Sequence, residues 1–397
     1  MEIRVAERLN YWSFNESILP EVQKYMKEKP YENLYLDFES TEFISPSVLC
    51  DLLSITNVIK GKVTGKILFL FGYNTSLISF LKNTDFFLMA DVGRTLFTDV
   101  LDLGGEDSSY SSYSKFMKNR ENTDKFRRIN LPRERDDDYG PAHEIIYYDK
   151  NKGVDAEKQR ISSTVQRDFW AFYSKKQHAI NNIGINYECC EYLANAYSEI
   201  VINSYFHGGK NYCFYTFQNY NHSGLSFVSS DTGIGYHGSF VEKISAGKKR
   251  RGLFTSNEYT QITDVKRQSL MSIVEGLLYR HFNPKQAFDH GILDIIKIIL
   301  GVGRNNNAIL RIQSDYAMLQ LDTVSLPWLF SGTNQDRQYN GVYYNITPKT
   351  DLFRKMVLDE NTHSAWERSR HIVYSDFCFP GVHISATIDS PRNERGR

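Results

Sequence analysis

The sequence is short of cysteine, has no excess of charge of either sign and contains no long hydrophobic run. Its 5 cysteines are an odd number, and their spacing matches neither a metal site nor a disulfide framework. Its 47 Lys and Arg residues balance 47 Asp and Glu residues, so net charge favours neither a nucleic-acid nor a membrane partner. The longest apolar stretch, Ile292–Leu300, is too short to span a membrane and contains Asp294 and Lys297. The N-terminal residues MEIRVAERLNYW lack the pattern of a signal peptide, and we therefore expect a cytoplasmic protein with reduced thiols.

Aromatic residues, in contrast, are abundant. They make up 14% of the 397 residues, with 26 Tyr and 25 Phe, which indicates large packed cores. The length predicts two or three domains, and we expect an α/β fold in both main parts of the chain.

Residues 1–103 have the pattern of a compact α/β domain. Apolar periodicity predicts strands at Asn33–Phe38 and Lys66–Phe71 and helices at Ser45–Lys60 and from Leu77 to Leu81. The continuous apolar run of the second strand is typical of a strand buried on both faces. A final short strand or turn is predicted at Asp85–Ala90, giving an open sheet with helices on one side.

Residues 104–153 form a polar connector, rich in Ser and charged residues. The pair His143–Glu144 can mark a phospho-accepting histidine. Here it begins a strand-like segment instead of lying within a long helix, so we interpret it as ordinary turn polarity.

Residues 154–390 form the last domain, in which strand and helix patterns follow one another closely. The predicted elements are helices at Ala156–Ile180, Tyr187–Phe206, Gln268–Arg280 and Gly291–Leu300, a hairpin of Tyr212–Tyr220 with Leu225–Ser230, and strands at Ala308–Arg311 and Met318–Asp322.

Two motifs in this domain carry chemistry. The first, SEIVINSYFHGG, places Glu199, Asn203 and His207 at i, i+4 and i+8, on one face of a helix. The second, SSDTGIG, places Asp231 before a turn that contains Gly233 and Gly235. A polar helical face followed by an acidic, glycine-rich loop is what a Mg-nucleotide site requires.

The order of these elements resembles the GHKL ATP-binding fold, which includes DNA gyrase B, MutL, the large heat-shock chaperones, histidine kinases and anti-sigma-factor serine kinases. The anti-sigma-factor kinases give the strongest local resemblance, because they carry Glu-x-x-x-Asn-x-x-x-His-Gly on this helix. The matching residues here are Glu199, Asn203, His207 and Gly208. The resemblance implies a Bergerat-type α/β sandwich with a long lid over residues 236–290.

The resemblance also implies roles for single residues. Asn203 would ligate Mg²⁺ through its amide oxygen, and Glu199 would orient or deprotonate the attacking water or hydroxyl. Asp231 would accept a hydrogen bond from the adenine amino group of ATP, while Gly233 and Gly235 let the backbone pass close to the base.

The remaining implied residues lie near the phosphates or the edge of the site. Gly291 begins a helix whose N-terminal amides would meet phosphates, and His207 either binds nucleotide or only caps or packs beside it.

The chain departs from the family pattern in its second glycine box and in the closing strand. Asp289-His290-Gly291-Ile292 keeps only one glycine, so hydrolysis is less strongly indicated than binding. Both Gly341–Pro348 and Phe379–Ile388 fit the closing strand. We favour the second, which makes 324–378 a large insertion.

The basic run Lys248–Arg251 lies in the expected lid. Three readings stay open for it: a solvated surface, a clamp on phosphates, or a nucleic-acid contact, in falling order of preference.

The N-terminal domain resembles the STAS domain of anti-sigma-factor antagonists through its first strand, the turn after Phe43 and the following helix. In that turn Pro46 stands where the family has its phospho-accepting serine, which excludes phosphorylation at that position. Ser45 and Ser47 stay open as acceptors, but for Ser45 we favour a cap of the helix, with Pro46 at its first position. The domain is expected to act in docking or regulation.

These features predict a Mg-ATP-dependent ATPase that regulates a protein partner or forms a homodimer. A serine/threonine kinase of a partner-switching pathway and a non-hydrolysing nucleotide sensor remain as alternatives. A histidine kinase is disfavoured because no dimerisation helix with an acceptor histidine precedes the site. A nucleic-acid-coupled machine is not favoured either, because too little chain follows the ATPase domain.

Overall fold

The computed structural model describes residues 1–60, 62–65, 67–71, 74–84, 86, 126–130, 154–207, 212–220, 224–245, 252–283, 291–302, 307–332 and 346–389. These residues form a mixed α/β fold. The chain divides into two compact units, one of Met1–Ile129 with Phe214–Gln218 and the other of Asn130–Cys213 with Asn219–Arg397.

The first unit is built on a three-stranded parallel sheet with the strand order β1-β3-β5. Leucine and phenylalanine side chains of this sheet and of its helices make the core, in which Phe38 and Phe71 stack at 5.4 Å. The elements are β1 (Glu2–Arg4), β2 (Arg8–Leu9), α1 (Tyr11–Ser13), a π-helical turn (Phe14–Ile18), α2 (Leu19–Glu28), β3 (Leu34–Asp37), β4 (Phe43–Ile44), α3 (Pro46–Lys60), β5 (Ile67–Leu70) and α4 (Thr75–Asn83).

The predicted strands and helices of this unit are confirmed as β3, α3, β5 and α4. Ser45 caps α3, because its Oγ accepts a hydrogen bond from the Val48 amide at 3.4 Å, and Pro46 is the first helical residue. The predicted strand or turn at Asp85–Ala90 lies outside the described residues, apart from Phe86.

The prediction that β5 is buried on both faces is wrong. Ile67 and Phe69 are buried, but Leu68 and Leu70 are only half-buried. Alternating burial is the pattern of a strand with one face on the core, because successive side chains point to opposite faces.

The second unit carries most of the helices. Two strands, β6 (Phe126–Asn130) and β7 (Tyr212–Tyr220), fall largely within the first unit. The elements of the second unit are α5 (Val154–Asn182), α6 (Tyr187–His207), β8 (Gly224–Asp231), α7 (Gly235–Ser245), α8 (Ser256–Gln261), α9 (Val265–Phe282), α10 (Ile292–Val302), β9 (Asn307–Asp322), α11 (Leu326–Leu329), β10 (Phe330–Ser331), β11 (Thr347–Pro348), α12 (Thr350–Leu358), α13 (Glu360–Arg368) and β12 (Ile372–Asp389).

In the second unit, β8, β12 and β9 are neighbouring strands, in that order, of the larger sheet. β12 runs antiparallel to both of its neighbours, with Ile384 opposite Ser229 of β8 and opposite Ile312 of β9. Phe379–Ile388, the segment preferred for the closing strand, therefore lies in β12 between β8 and β9. Residues 341–345 of the alternative lie outside the described residues, and 347–348 form β11, which pairs with β10.

Two predictions for this unit are corrected. Ala308–Arg311 and Met318–Asp322 belong to one long strand, β9, because the polar residues between them pair with β12 instead of forming a turn. The segment expected to form a lid consists largely of α7, α8 and α9, and α9 is a core helix packed against β9.

α9 is buried on its apolar side and on its polar side. The apolar residues Leu270, Met271, Ile273, Val274 and Leu278 are each at most 2% exposed, and the polar residues Ser269, Ser272 and Glu275 on the other side of the helix are buried as well. The basic run 248–251 lies outside the described residues. Within the described ranges, no helix is long and apolar enough to cross a membrane.

Candidate functional site

Asp231 is the last residue of β8, and its carboxylate is held by backbone amides from two directions. Its Oδ1 accepts hydrogen bonds from the Gly233 amide at 2.9 Å and from the Val382 amide of β12 at 3.1 Å. The hydroxyl of Ser204 on α6 also forms a hydrogen bond with this carboxylate. The side chain is 2% exposed, so three neighbouring elements fix it in a buried position.

Burial raises the pKa of Asp231 from 3.8 to about 6. The hydrogen bonds from Gly233, Val382 and Ser204 pull this pKa down, while the nearby Asp315 carboxylate pushes it further up. The pKa of Asp315 is raised as well, mainly by burial. A carboxyl group that titrates near neutrality is typical of a functional site, although structural clusters also produce it.

The loop after Asp231 is pinned to β9. Gly235 has a φ of +70°, and a Cβ at this position would lie 2.6 Å from Oδ2 of Asp315 and 2.8 Å from Oγ of Ser314. The amide of Tyr236 donates to Ser314 Oγ at 2.9 Å, and the amide of His237 donates to Asp315 Oδ2 at 3.1 Å. Gly235 is therefore required where α7 begins, for its backbone angle and for its lack of a side chain.

The neighbouring strands are irregular at the same place. The register between β12 and β9 shifts between Phe379 and Val382, and Gly381 has a φ of +82°. A Cβ on Gly381 would lie 2.2 Å from the carbonyl oxygen of Asp231. Opposite the shift, Asp315 has a φ of +55°, which is unusual for a residue other than glycine. Strained backbone of this kind clusters at functional sites.

Helix α6 reaches the end of β8 through several contacts. The hydroxyl of Tyr197 donates to the carbonyl of Val228, and the Ser204 hydroxyl bonds Asp231. Asn203 precedes Ser204 and is exposed, and Glu199 lies one turn earlier and is half-buried. α6 thus brings Ser204 to Asp231, whereas Asn203 and Glu199 project about 100° and about 140° away from Ser204 around the helix.

Two predicted residues lie at the edges of described segments. His207 is the last residue of α6, and its side chain, like Gly208, lies outside the described residues. Gly291 precedes α10 with a φ of +153°, and no atom of the described residues lies within 4 Å of its Cβ position.

The first turn of α10 contains an acidic residue, Asp294. Asp294 is 1% exposed in its side chain and forms ion pairs with Arg280 at 3.1 Å and Lys297 at 2.6 Å. A buried carboxylate in this turn competes with phosphate for the positive end of the helix, which weakens the role implied for Gly291.

Ser314, Asp315 and Gly381 were not among the site residues predicted from the sequence. No local pattern distinguishes Ser314 and Asp315 from other polar residues of a strand, because their partner at Gly235 is about 80 positions earlier in the chain. Gly381 was visible as part of a Pro-Gly pair, a turn signal inside a predicted strand.

The donor atoms at this site suit Mg²⁺ better than a transition metal. Asn203 and Glu199 offer hard oxygens, which Mg²⁺ prefers, and it usually completes its shell with water and phosphate. In the part of the chain that the structure describes, no three His, Cys, Asp or Glu side chains form a metal-binding group.

The chain matches no family model, no curated protein and no solved structure.

Proposed function

We propose that this chain binds Mg-ATP at the Asp231 cluster and acts as a GHKL-type ATPase that regulates a protein partner or its own dimer. The observation that carries the proposal is the fixed carboxylate of Asp231. Two backbone amides and the Ser204 hydroxyl hold it at the end of β8, beside the glycine loop and α6.

Each element around this carboxylate supports a part of nucleotide binding. Asp231 accepts the hydrogen bond of the adenine amino group, and the Gly233–Gly235 loop lets the backbone approach the base. Asn203 is exposed and would hold Mg²⁺ through its amide oxygen, and Glu199 would orient or deprotonate the water that attacks the γ-phosphate. A bound Mg²⁺ would supply positive charge to offset that of the phosphates.

Two exposed apolar residues, Ile234 in this loop and Val241 on α7, support the proposed association with a protein partner or a second copy. Ile234 and Val241 are each 40% exposed, and Ile234 lies over Gly238 at 3.2 Å from its Cβ position. Apolar surface next to a ligand-binding loop is suited to association that depends on the ligand. The STAS-like N-terminal unit is proposed to dock partners.

ATP titration into the purified chain by calorimetry, with and without Mg²⁺, tests the binding step. We expect Asn203→Ala to weaken Mg-ATP binding about tenfold or more, since one metal ligand contributes on the order of 1.4 kcal/mol. Asn182→Ala is the matched control, because Asn182 is an exposed asparagine at the end of α5. Unchanged affinity in Asn203→Ala would mean that the site is placed wrongly.

Phosphate release tests the chemical step. Glu199→Gln should abolish turnover while ATP still binds, and Glu191→Gln, an exposed glutamate two turns earlier on α6, should leave turnover unchanged. Binding without turnover favours the nucleotide sensor. Transfer of labelled phosphate to a serine or threonine of a separate protein favours the kinase.

A further inference from the structure

His237 lies at the end of a chain of hydrogen bonds that crosses from α7 to α8 and α9. Its ring Nδ1 is hydrogen-bonded to the hydroxyl of Tyr259, and the two rings stack at 27° with centroids 5.8 Å apart. The Tyr259 hydroxyl also lies 3.2 Å from Oγ of Ser272. Ser272 Oγ in turn donates to the backbone carbonyl of Gln268 at 2.9 Å.

Counting the available protons shows which atom donates in each of these hydrogen bonds. Ser272 has one hydroxyl proton, and it is used on the Gln268 carbonyl, so Ser272 Oγ accepts from Tyr259. Burial raises the pKa of Tyr259 to about 12, which keeps its hydroxyl protonated. With that proton donated to Ser272, the Tyr259 oxygen must accept the Nδ1–H of His237. In the tautomer with its proton on Nδ1, the imidazole carries a lone pair on Nε2.

The backbone fixes where this lone pair is presented. The amide of His237 donates to Asp315 Oδ2 at 3.1 Å, in the first turn of α7, directly after the Asp231–Gly235 loop. The Nε2 atom is not buried, and no group among the described residues forms a hydrogen bond with it. His237 thus offers a hydrogen-bond acceptor on a residue that follows Gly235, the last glycine of the proposed nucleotide-binding loop, by two positions.

We infer that Nε2 of His237 accepts a hydrogen bond from a ribose hydroxyl of the bound nucleotide. This inference rests on the proposed function. A nucleoside triphosphate has few hydrogen-bond donors: the amino group of the base and the two ribose hydroxyls. The amino group is assigned to Asp231, and phosphate oxygens carry only lone pairs, so a ribose hydroxyl is the partner that fits a bare acceptor.

Deoxynucleotides test this contact directly. We expect the wild-type chain to bind 2′-deoxy-ATP or 3′-deoxy-ATP about tenfold more weakly than ATP, because losing the hydroxyl leaves Nε2 without its partner. His237→Ala should bind ATP and both analogues equally. Tyr259→Phe should reduce the discrimination severalfold, since Nδ1 loses its acceptor and the proton can move to Nε2. His178→Ala, an exposed histidine on α5, should keep the full ratio.

The ratio of affinities separates this inference from a loss of folding and from the proposed function. A destabilised variant lowers the active fraction for all three nucleotides and leaves their ratio unchanged. Equal binding of ATP and both analogues by the wild type would overturn the ribose contact while leaving ATP binding in place. Failure of every nucleotide to bind would overturn the proposed function and this inference together.

Discussion

Replacing Asp231 by asparagine should stabilise the fold at alkaline pH. The pKa of this carboxyl is raised from 3.8 to about 6 by burial, a difference of about two pH units. One unit corresponds to about 1.4 kcal/mol, so the charged carboxylate lowers the free energy of unfolding by about 3 kcal/mol at most. Asparagine keeps an oxygen for the Gly233 and Val382 amides and carries no charge to desolvate.

The sign of the pH dependence follows from where the proton is held. Between pH 3.8 and about 6 the folded chain keeps a proton on Asp231 that the unfolded chain has lost. Wild-type stability therefore falls as the pH rises through this window. Above the window, the free energy of unfolding is lowered by the full amount of about 3 kcal/mol. Asp231→Asn lacks this dependence, so its advantage should be largest at pH 8 and should vanish below about pH 4.

Urea unfolding followed by circular dichroism at pH 4, 6 and 8 measures this difference. Asp351→Asn is the control, because Asp351 is exposed in the first turn of α12, and we expect it to stay within about 0.5 kcal/mol of wild type. A destabilised Asp231→Asn at pH 8 would refute the reasoning and show that the hydrogen bonds to the carboxylate outweigh its desolvation. Under the proposed function, the same variant loses ATP affinity, so stability and binding oppose each other here.

Two further substitutions test the packing around the site. Gly381→Ala should destabilise the fold by more than about 2 kcal/mol, since its Cβ would overlap Asp231. Gly291→Ala meets no atom of the described residues and should cost only about 1 kcal/mol of backbone strain; thermal unfolding compares the two. Leu278→Ala should cost about 2–5 kcal/mol in urea unfolding because α9 is a core helix, whereas Val265→Ala, 38% exposed on the same helix, should cost under about 1 kcal/mol. Similar costs for both α9 variants would contradict a core role for the helix.

The sequence was sufficient to predict elements whose signal is local. α3 was predicted from its apolar periodicity and from Ser45 and Pro46 at its start, and α6 from the spacing of its polar face. β1 was missed because it has only three residues and takes its strand geometry from pairing with β3.

What the sequence could not supply was contact between distant residues. Asp315 adopts a left-handed backbone and binds the His237 amide because β9 and β12 shift register beside it. Nothing near position 315 in the chain specifies that shift. The expectation of a lid came from the family resemblance, whereas the burial of Ser269, Ser272 and Glu275 on the polar side of α9 depends on packing that the local sequence does not specify.

The order of the strands sets an order of events during synthesis. β12 is the last described element along the chain, yet it lies between β8 and β9 in the sheet. While the chain emerges from the ribosome, these two strands must wait for residues 372–389 before they can join. The Val382 amide that holds Asp231 arrives with the same strand. A translation product that stops before Ile372 would thus lose the middle of its sheet and, with it, a hydrogen bond that fixes Asp231.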